Sequence, residues 1–96
     1  MPAVTRLGDL DTGHDACGPT ALNSASGNVF ANGKGIGRVG DSYVAHGCVV
    51  HSPHSGHIAS GSSSVYVNEI PVGRIGDPVD CGGSVAQGSG NVYAGG

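Results

Sequence analysis

Three copies of one six-residue pattern constrain this chain more than any other feature. Val4-Thr5-Arg6-Leu7-Gly8-Asp9, Ile36-Gly37-Arg38-Val39-Gly40-Asp41 and Val72-Gly73-Arg74-Ile75-Gly76-Asp77 all read aliphatic-x-Arg-aliphatic-Gly-Asp, and together they use every arginine present. The copies begin 32 and 36 residues apart, so each repeat is one supersecondary unit of similar size. Three identical Arg/Asp sets read as architecture rather than as a catalytic pair. Gly lets the backbone leave a sheet with unusual dihedrals, and Asp is expected to fix the turn by accepting from an amide two residues on. The Arg is expected to pair with an Asp of its own or a neighbouring unit.

A second recurring element supplies the other half of each unit. Ser26-Gly27-Asn28-Val29-Phe30-Ala31-Asn32, Ser62-Ser63-Ser64-Val65-Tyr66-Val67-Asn68 and Ser89-Gly90-Asn91-Val92-Tyr93-Ala94-Gly95 place a Val-aromatic-aliphatic triplet after small turn residues. This is the alternation of a short strand. Asn32-Gly33 is a strong hairpin signal, leading back through Ile36 to Val39. Asn68-Glu69 is a weaker one that still begins with a residue tolerant of positive φ. Pro71 marks its return strand as an edge or an irregularity. The strand at Asn91 to Ala94 has no return partner, and Val4 to Leu7 has no outgoing one. The two termini are therefore expected to pair, closing a ring of three hairpins and removing two exposed strand edges. No helix-length window has apolar residues at i, i+3, i+4 and i+7, so helix should be near absent. Phe30, Tyr66 and Tyr93 hold equivalent places and read as packing or interface residues.

Composition limits what such a fold can be. Residues 1–96 form one small domain with 38% apolar residues, four Phe or Tyr and no Trp, so its core is thin and a staple is expected. Nineteen glycines argue for many tight turns. Charged residues are 11%, the formal net charge is −3 and no Lys/Arg cluster occurs, which argues against nucleic-acid binding. No apolar run reaches membrane-span length, and Met1 to Arg6 lacks the layout of a signal peptide. The chain is expected to be made in the cytosol, and any exit would use another route. Three cysteines, Cys17, Cys48 and Cys81, favour metal ligation over a disulfide framework in a reducing compartment.

Metal-binding types recur at matched depth in the loops. Asp41 to His57 contains four of the five histidines. His14 and His46 lie five residues beyond Asp9 and Asp41, and Cys81 lies four beyond Asp77. If the hairpins converge, these three arrive together near an axis and supply three ligands of a tetrahedral site. The longer second loop offers the fourth from His51, His54 or His57. His51 could reach the same ion across a tight loop. His54 follows the stiffening Pro53 and is favoured, and His57 already lies on the return to the strand. Cys17 or Cys48 could replace the histidine before it. Otherwise they are buried fillers or, in an oxidising place, a Cys17–Cys48 disulfide.

The segments Pro2 to Asp9, Val39-Gly40-Asp41, Ala59 to Asn68 and Pro71 to Asp77 make the whole chain resemble the PAAR-repeat family. These proteins cap the spikes of contractile injection machines: the VgrG trimer of the bacterial type VI secretion system and the central spike of contractile phage tails. The resemblance implies an all-β, pseudo-threefold cone with no extension domain. Its blunt base docks, one copy per spike, on a trimeric β-helix. Its point, which touches the target membrane transiently, binds structural zinc through three His and one Cys, with iron as the alternative ion. His14, His46 and Cys81 match the family's loop positions, and His54 is the closest match for the remaining ligand. The literal Pro-Ala-Ala-Arg string appears in no copy. The role implied is non-enzymatic: a tip that sharpens a membrane-piercing spike, made in the cytoplasm and then exported by a contractile apparatus or carried in a virion tail. A small zinc hydrolase is the alternative, but it would need an open coordination position and a general base, for which Asp15 and Asp80 are the only nearby acids in sequence.

Overall fold

The computed structural model describes residues 1–13, 17–48 and 51–96, and for His46–Cys48 and His51–His54 it describes the backbone alone. Among the described residues there is no helix. The regular strands are β1 (Phe30–Ala31), β2 (Lys34–Gly35), β3 (His46–Cys48), β4 (His51–His54), β5 (Tyr66–Val67) and β6 (Ile70–Pro71). They pair antiparallel as three hairpins, β1 with β2, β3 with β4 and β5 with β6.

Two of these hairpins are the ones read from the repeat. Asn32-Gly33 turns with φ of 55° and 76°, and Asn68-Glu69 with 54° and 66°. Both central residues therefore lie in the left-handed region, as a type I′ turn requires, although glutamate is a poor occupant of it. The third unit is assembled from the termini. Ala3 pairs with Tyr93, Val4 N–H donates to Val92 at 3.0 Å, and Ala94 N–H donates to Pro2 at 3.0 Å. Equivalent bonds run from Ile36 to Val29 and from Val72 to Val65, both at 3.1 Å.

The hairpin strands are shorter than the repeat suggested, because each return segment soon leaves its own partner for the next unit. Arg6 pairs with Ile36, Arg38 with Val72, and Arg74 with Val4. At the centre, Gly37 N–H donates to Thr5 (2.9 Å), Gly73 N–H to Gly37 (2.9 Å) and Thr5 N–H to Gly73 (3.0 Å), a closed three-membered cycle. Such a cycle can form only if the three segments surround one axis. The overall dimensions, 37 × 23 × 23 Å, are those of a body elongated in one direction with equal cross-axes.

Space at this axis admits a single side chain. Thr5 is fully buried there. A Cβ on Gly37 would come within 2.7 Å of both Thr5 Cγ2 and Leu22 Cδ2, and one on Gly73 within 2.8 Å of Ile58 Cδ1. One repeat thus contributes the filler and two contribute the room. Above and below lie two thin clusters. One contains Val4, Ile36 and Val72 with Ala31, Val67 and Ala94; the other contains Leu22, Ile58 and Val85 with Tyr43 and Val79.

The Arg and Asp of each motif bind each other. Arg6 Nε lies 2.9 Å from Asp9 Oδ2, Arg38 Nε lies 2.9 Å from Asp41 Oδ2, and Arg74 Nη2 lies 3.1 Å from Asp77 Oδ1. Each carboxylate also accepts from the backbone N–H of its own arginine, at 2.8 to 2.9 Å. The aspartate therefore reaches back three residues, not forward two, because Gly8, Gly40 and Gly76, at φ of 91° to 94°, fold the motif onto itself. Hydrogen bonding to Asp9 and Asp41 raises the pKa of the Arg6 and Arg38 guanidiniums.

Candidate functional site

The loops that follow the three motifs meet at one end of the molecule. Thr12 N–H donates to Ser84 at 2.9 Å and Ser84 N–H returns to Thr12 Oγ1 at 3.0 Å, joining the first loop to the third. Val44 N–H donates to Ala21 at 2.8 Å and Thr20 Oγ1 to Val44 at 2.8 Å, joining the first to the second. A Cβ on Gly56 would sit 2.8 Å from Cys81 Sγ, so the backbone of the second loop lies directly on that sulfur. Cys81 itself rides a tight turn closed by Val79 N–H to Gly83 (2.8 Å) and Gly82 N–H to Val79 (3.0 Å).

Of the four ligand positions read from the sequence, Cys81 is the one whose side chain is described. It is a free, partly buried thiol. Burial raises its pKa, and the charges of Asp11 and Asp80 add to that rise; hydrogen bonds from Gly83 and its own amide oppose it. His14 lies outside the described residues, as do the side chains of His46, His51, His54 and Cys48. The backbone of the second loop nevertheless has a definite register: His46 is paired with His54, and Cys48 with His51, across an irregularity in β3. His57 is half exposed, and Asp80 accepts from its backbone N–H at 2.9 Å and contacts its Nδ1 at 3.2 Å. Among the described residues no three His, Cys, Asp or Glu side chains form a metal-holding group.

Of the readings kept for Cys17, namely replacement ligand, buried filler or disulfide, the structure has the disulfide: Cys17 is buried and disulfide-bonded. The general preference for metal ligation over disulfides does not hold for this residue.

Two further groups at this end were not singled out from the sequence. Asp11 (1% exposed) and Tyr43 (0%) are buried at equivalent places, two residues beyond Asp9 and Asp41, where the third repeat has Val79. Asp11 Oδ1 accepts from Gly13 N–H (3.0 Å) and Thr20 N–H (2.9 Å), while among the described residues Asp11 Oδ2 and the Tyr43 hydroxyl have no hydrogen-bond partner. The signal was in the alignment of the repeats, which sets a carboxylate where the other copies have Tyr and Val.

The opposite half, built on Val4, Ile36 and Val72, has a different surface. Phe30, Tyr66 and Tyr93 are 58%, 55% and 50% exposed, so the three equivalent aromatics serve the surface and not the core. Val65 and Met1 add apolar area.

The fold and the loop cluster define a class: a small all-β domain of three quasi-equivalent units wound about one axis, with an aromatic set at one half and a convergent loop cluster at the other. A family model described as PAAR motif matches residues 10–87 of the 96. The chain belongs to the PAAR motif family. No curated protein matches it.

A free thiol in a turn, pressed by a neighbouring loop, is a donor of the kind zinc takes, while the three histidines read from the sequence lie outside the described side chains.

Proposed function

We propose that this chain is the tip of a contractile spike, capping a trimeric β-helical spike protein of the VgrG type or of a phage tail, and that its convergent loops are stapled by zinc. The observation that carries this reading is the closed hydrogen-bond cycle of Thr5, Gly37 and Gly73. A single chain can match a partner of true threefold symmetry only if its own face is internally threefold, and one copy per trimer follows. Phe30, Tyr66, Tyr93 and Val65 supply an exposed apolar set of the kind that marks a protein contact. They are the residues assigned to the blunt base.

At the other end His14, His46, His54 and Cys81 are the proposed ligands. His54 is preferred to His51 because its backbone is the register partner of His46. Iron is the alternative ion. A loop end this narrow buries little apolar area, and a four-ligand ion would tie it together, since structural zinc binding contributes directly to folding free energy. The tip would meet the target membrane only in passing. The chain would be made in the cytoplasm and leave in the apparatus or the virion. The disulfide at Cys17 suits that route, because such bonds persist outside reducing compartments.

The test is capture by a trimeric spike of a contractile machine. The parent chain should be retained, and the variant carrying Phe30→Ser, Tyr66→Ser and Tyr93→Ser should not be, while circular dichroism shows both folded. Retention of both would remove the aromatic set from the interface. X-ray absorption at the zinc edge separates the tip from a hydrolase: a closed shell of three nitrogens and one sulfur supports the tip, and a bound water supports the enzyme.

A further inference from the structure

Asp11 has no charge partner among the described residues. Among those residues its Oδ1 is held by two backbone amides and its Oδ2 by none, and the residue is buried. The described cations are committed elsewhere. Arg6, Arg38 and Arg74 are paired with Asp9, Asp41 and Asp77, and Lys34 is exposed on β2, in the hairpin on the far side of the axial cycle. The neighbouring unpartnered group is the Tyr43 hydroxyl, which is neutral. A buried carboxylate left in this state is unfavourable unless a positive charge is supplied.

The repeat shows that the carboxylate is not demanded by the fold, because Tyr43 and Val79 fill the same place in the other two units. Asp11 also sits beside the turn that carries Cys81: it is the bridge partner of Val85, Val85 packs in one cluster with Tyr43, and Cys81 lies against that cluster. The carboxylate, the hydroxyl and the free thiol are thus held around the same few side chains beneath the converging loops.

We propose that Asp11 is the buried counter-charge of a divalent cation site at the loop end, its free Oδ2 facing the positive charge that the ion and its ligands carry. This rests on the metal reading given above. A divalent ion with one thiolate and three neutral imidazoles keeps a net charge of about +1, which one carboxylate cancels. Carboxylates placed just outside a metal's own ligands commonly strengthen binding by about 10- to 100-fold, often by accepting the free N–H of a ligating imidazole.

The test is zinc affinity measured on the full chain in competition with a chromophoric chelator. Asp11→Asn keeps an oxygen for Gly13 and Thr20 and removes the charge. Its zinc affinity should fall about 10- to 100-fold, while its metal-free form should melt no lower than the metal-free parent. Tyr43→Phe should leave zinc affinity within about threefold of the parent, the hydroxyl carrying no charge. Equal zinc affinity in Asp11→Asn and parent overturns the proposal. So does an equal change in melting for Asp11→Asn and Tyr43→Phe, with and without zinc, which would mean that the two groups merely share a buried water. Carboxyl-¹³C aspartate labelling reads the unsubstituted chain: the Asp11 resonance should move on zinc addition, and an unmoved resonance overturns the proposal. A parent that binds no zinc in the same assay defeats the metal reading itself, a result distinct from a parent that binds zinc with Asp11 indifferent to it.

Discussion

Arg74 donates from Nη1 to the carbonyl oxygen of Gly95 at 2.9 Å, in the place where Arg6 and Arg38 donate to the side-chain oxygens of Asn32 (3.1 Å) and Asn68 (3.0 Å). The same three oxygens accept from serines of the neighbouring unit: Ser89 on Asn32, Ser26 on Asn68 and Ser62 on Gly95. A backbone carbonyl near the chain end therefore performs the task of two asparagine side chains, and the ring is closed by hydrogen bonds at its rim as well as at its axis.

Asn32 tests the rim. Asn32→Gly keeps the positive φ but loses the bonds to Arg6 and Ser89 and the one it donates to Asn91, at 2.8 Å. It should cost about 1–2 kcal/mol in chemical denaturation, the scale of a few partly exposed hydrogen bonds. Asn32→Ala should cost about 1 kcal/mol more, because Ala must also enter the left-handed region.

Glu69 holds a φ of 66° where the first hairpin has Gly33. Glu69→Gly is expected to stabilise the chain by about 1 kcal/mol, the strain of a left-handed non-glycine residue less the entropy glycine adds to the unfolded chain. Gly33→Ala should act in the opposite direction by a similar amount. Paired denaturation curves read both.

Gly37→Ala should cost about 1–3 kcal/mol, as expected for an overpacked core. The added methyl would meet the buried Thr5 and Leu22 at 2.7 Å. Combining it with Thr5→Gly should recover part of the loss, since that change frees the space at the axis. No recovery would mean that the three segments do not share it.

Tyr43 sets a pH dependence. Burial, aided by the nearby Asp11 charge, raises its pKa well above the ordinary value of 10.0. The folded chain therefore keeps the phenol proton under conditions where the unfolded chain releases it. The corresponding stability is complete below pH 10 and declines as pH rises above it. Tyr43→Phe should lose less stability than the parent as pH rises above about 10, the usual tyrosine value at which the unfolded chain begins to release the proton. Urea midpoints at stepped pH measure the difference.

The ring of hairpins was legible because each unit carries its own local instructions: a strand triplet, an Asn-led turn, and an Arg with a Gly-Asp bend. The pairing of Ala3 with Tyr93 followed from counting partners. What could not be read were bonds between units, such as Ser26 to Asn68, whose partners are 42 residues apart and obey no short period. Cys17 was left open among ligand, filler and disulfide for a related reason, since cysteine count and compartment do not reveal which sulfurs the loops bring together. Asp11 and Tyr43 were passed over because an isolated Asp or Tyr in a loop looks solvated until the fold covers it.

The claim on which the rest depends is that one chain presents three equivalent faces to one threefold partner. Native mass spectrometry of the complex with a trimeric β-helical spike measures this directly. The account predicts a single species with one copy of this chain per three spike chains. Three copies per trimer, or no complex with any such spike, would contradict it.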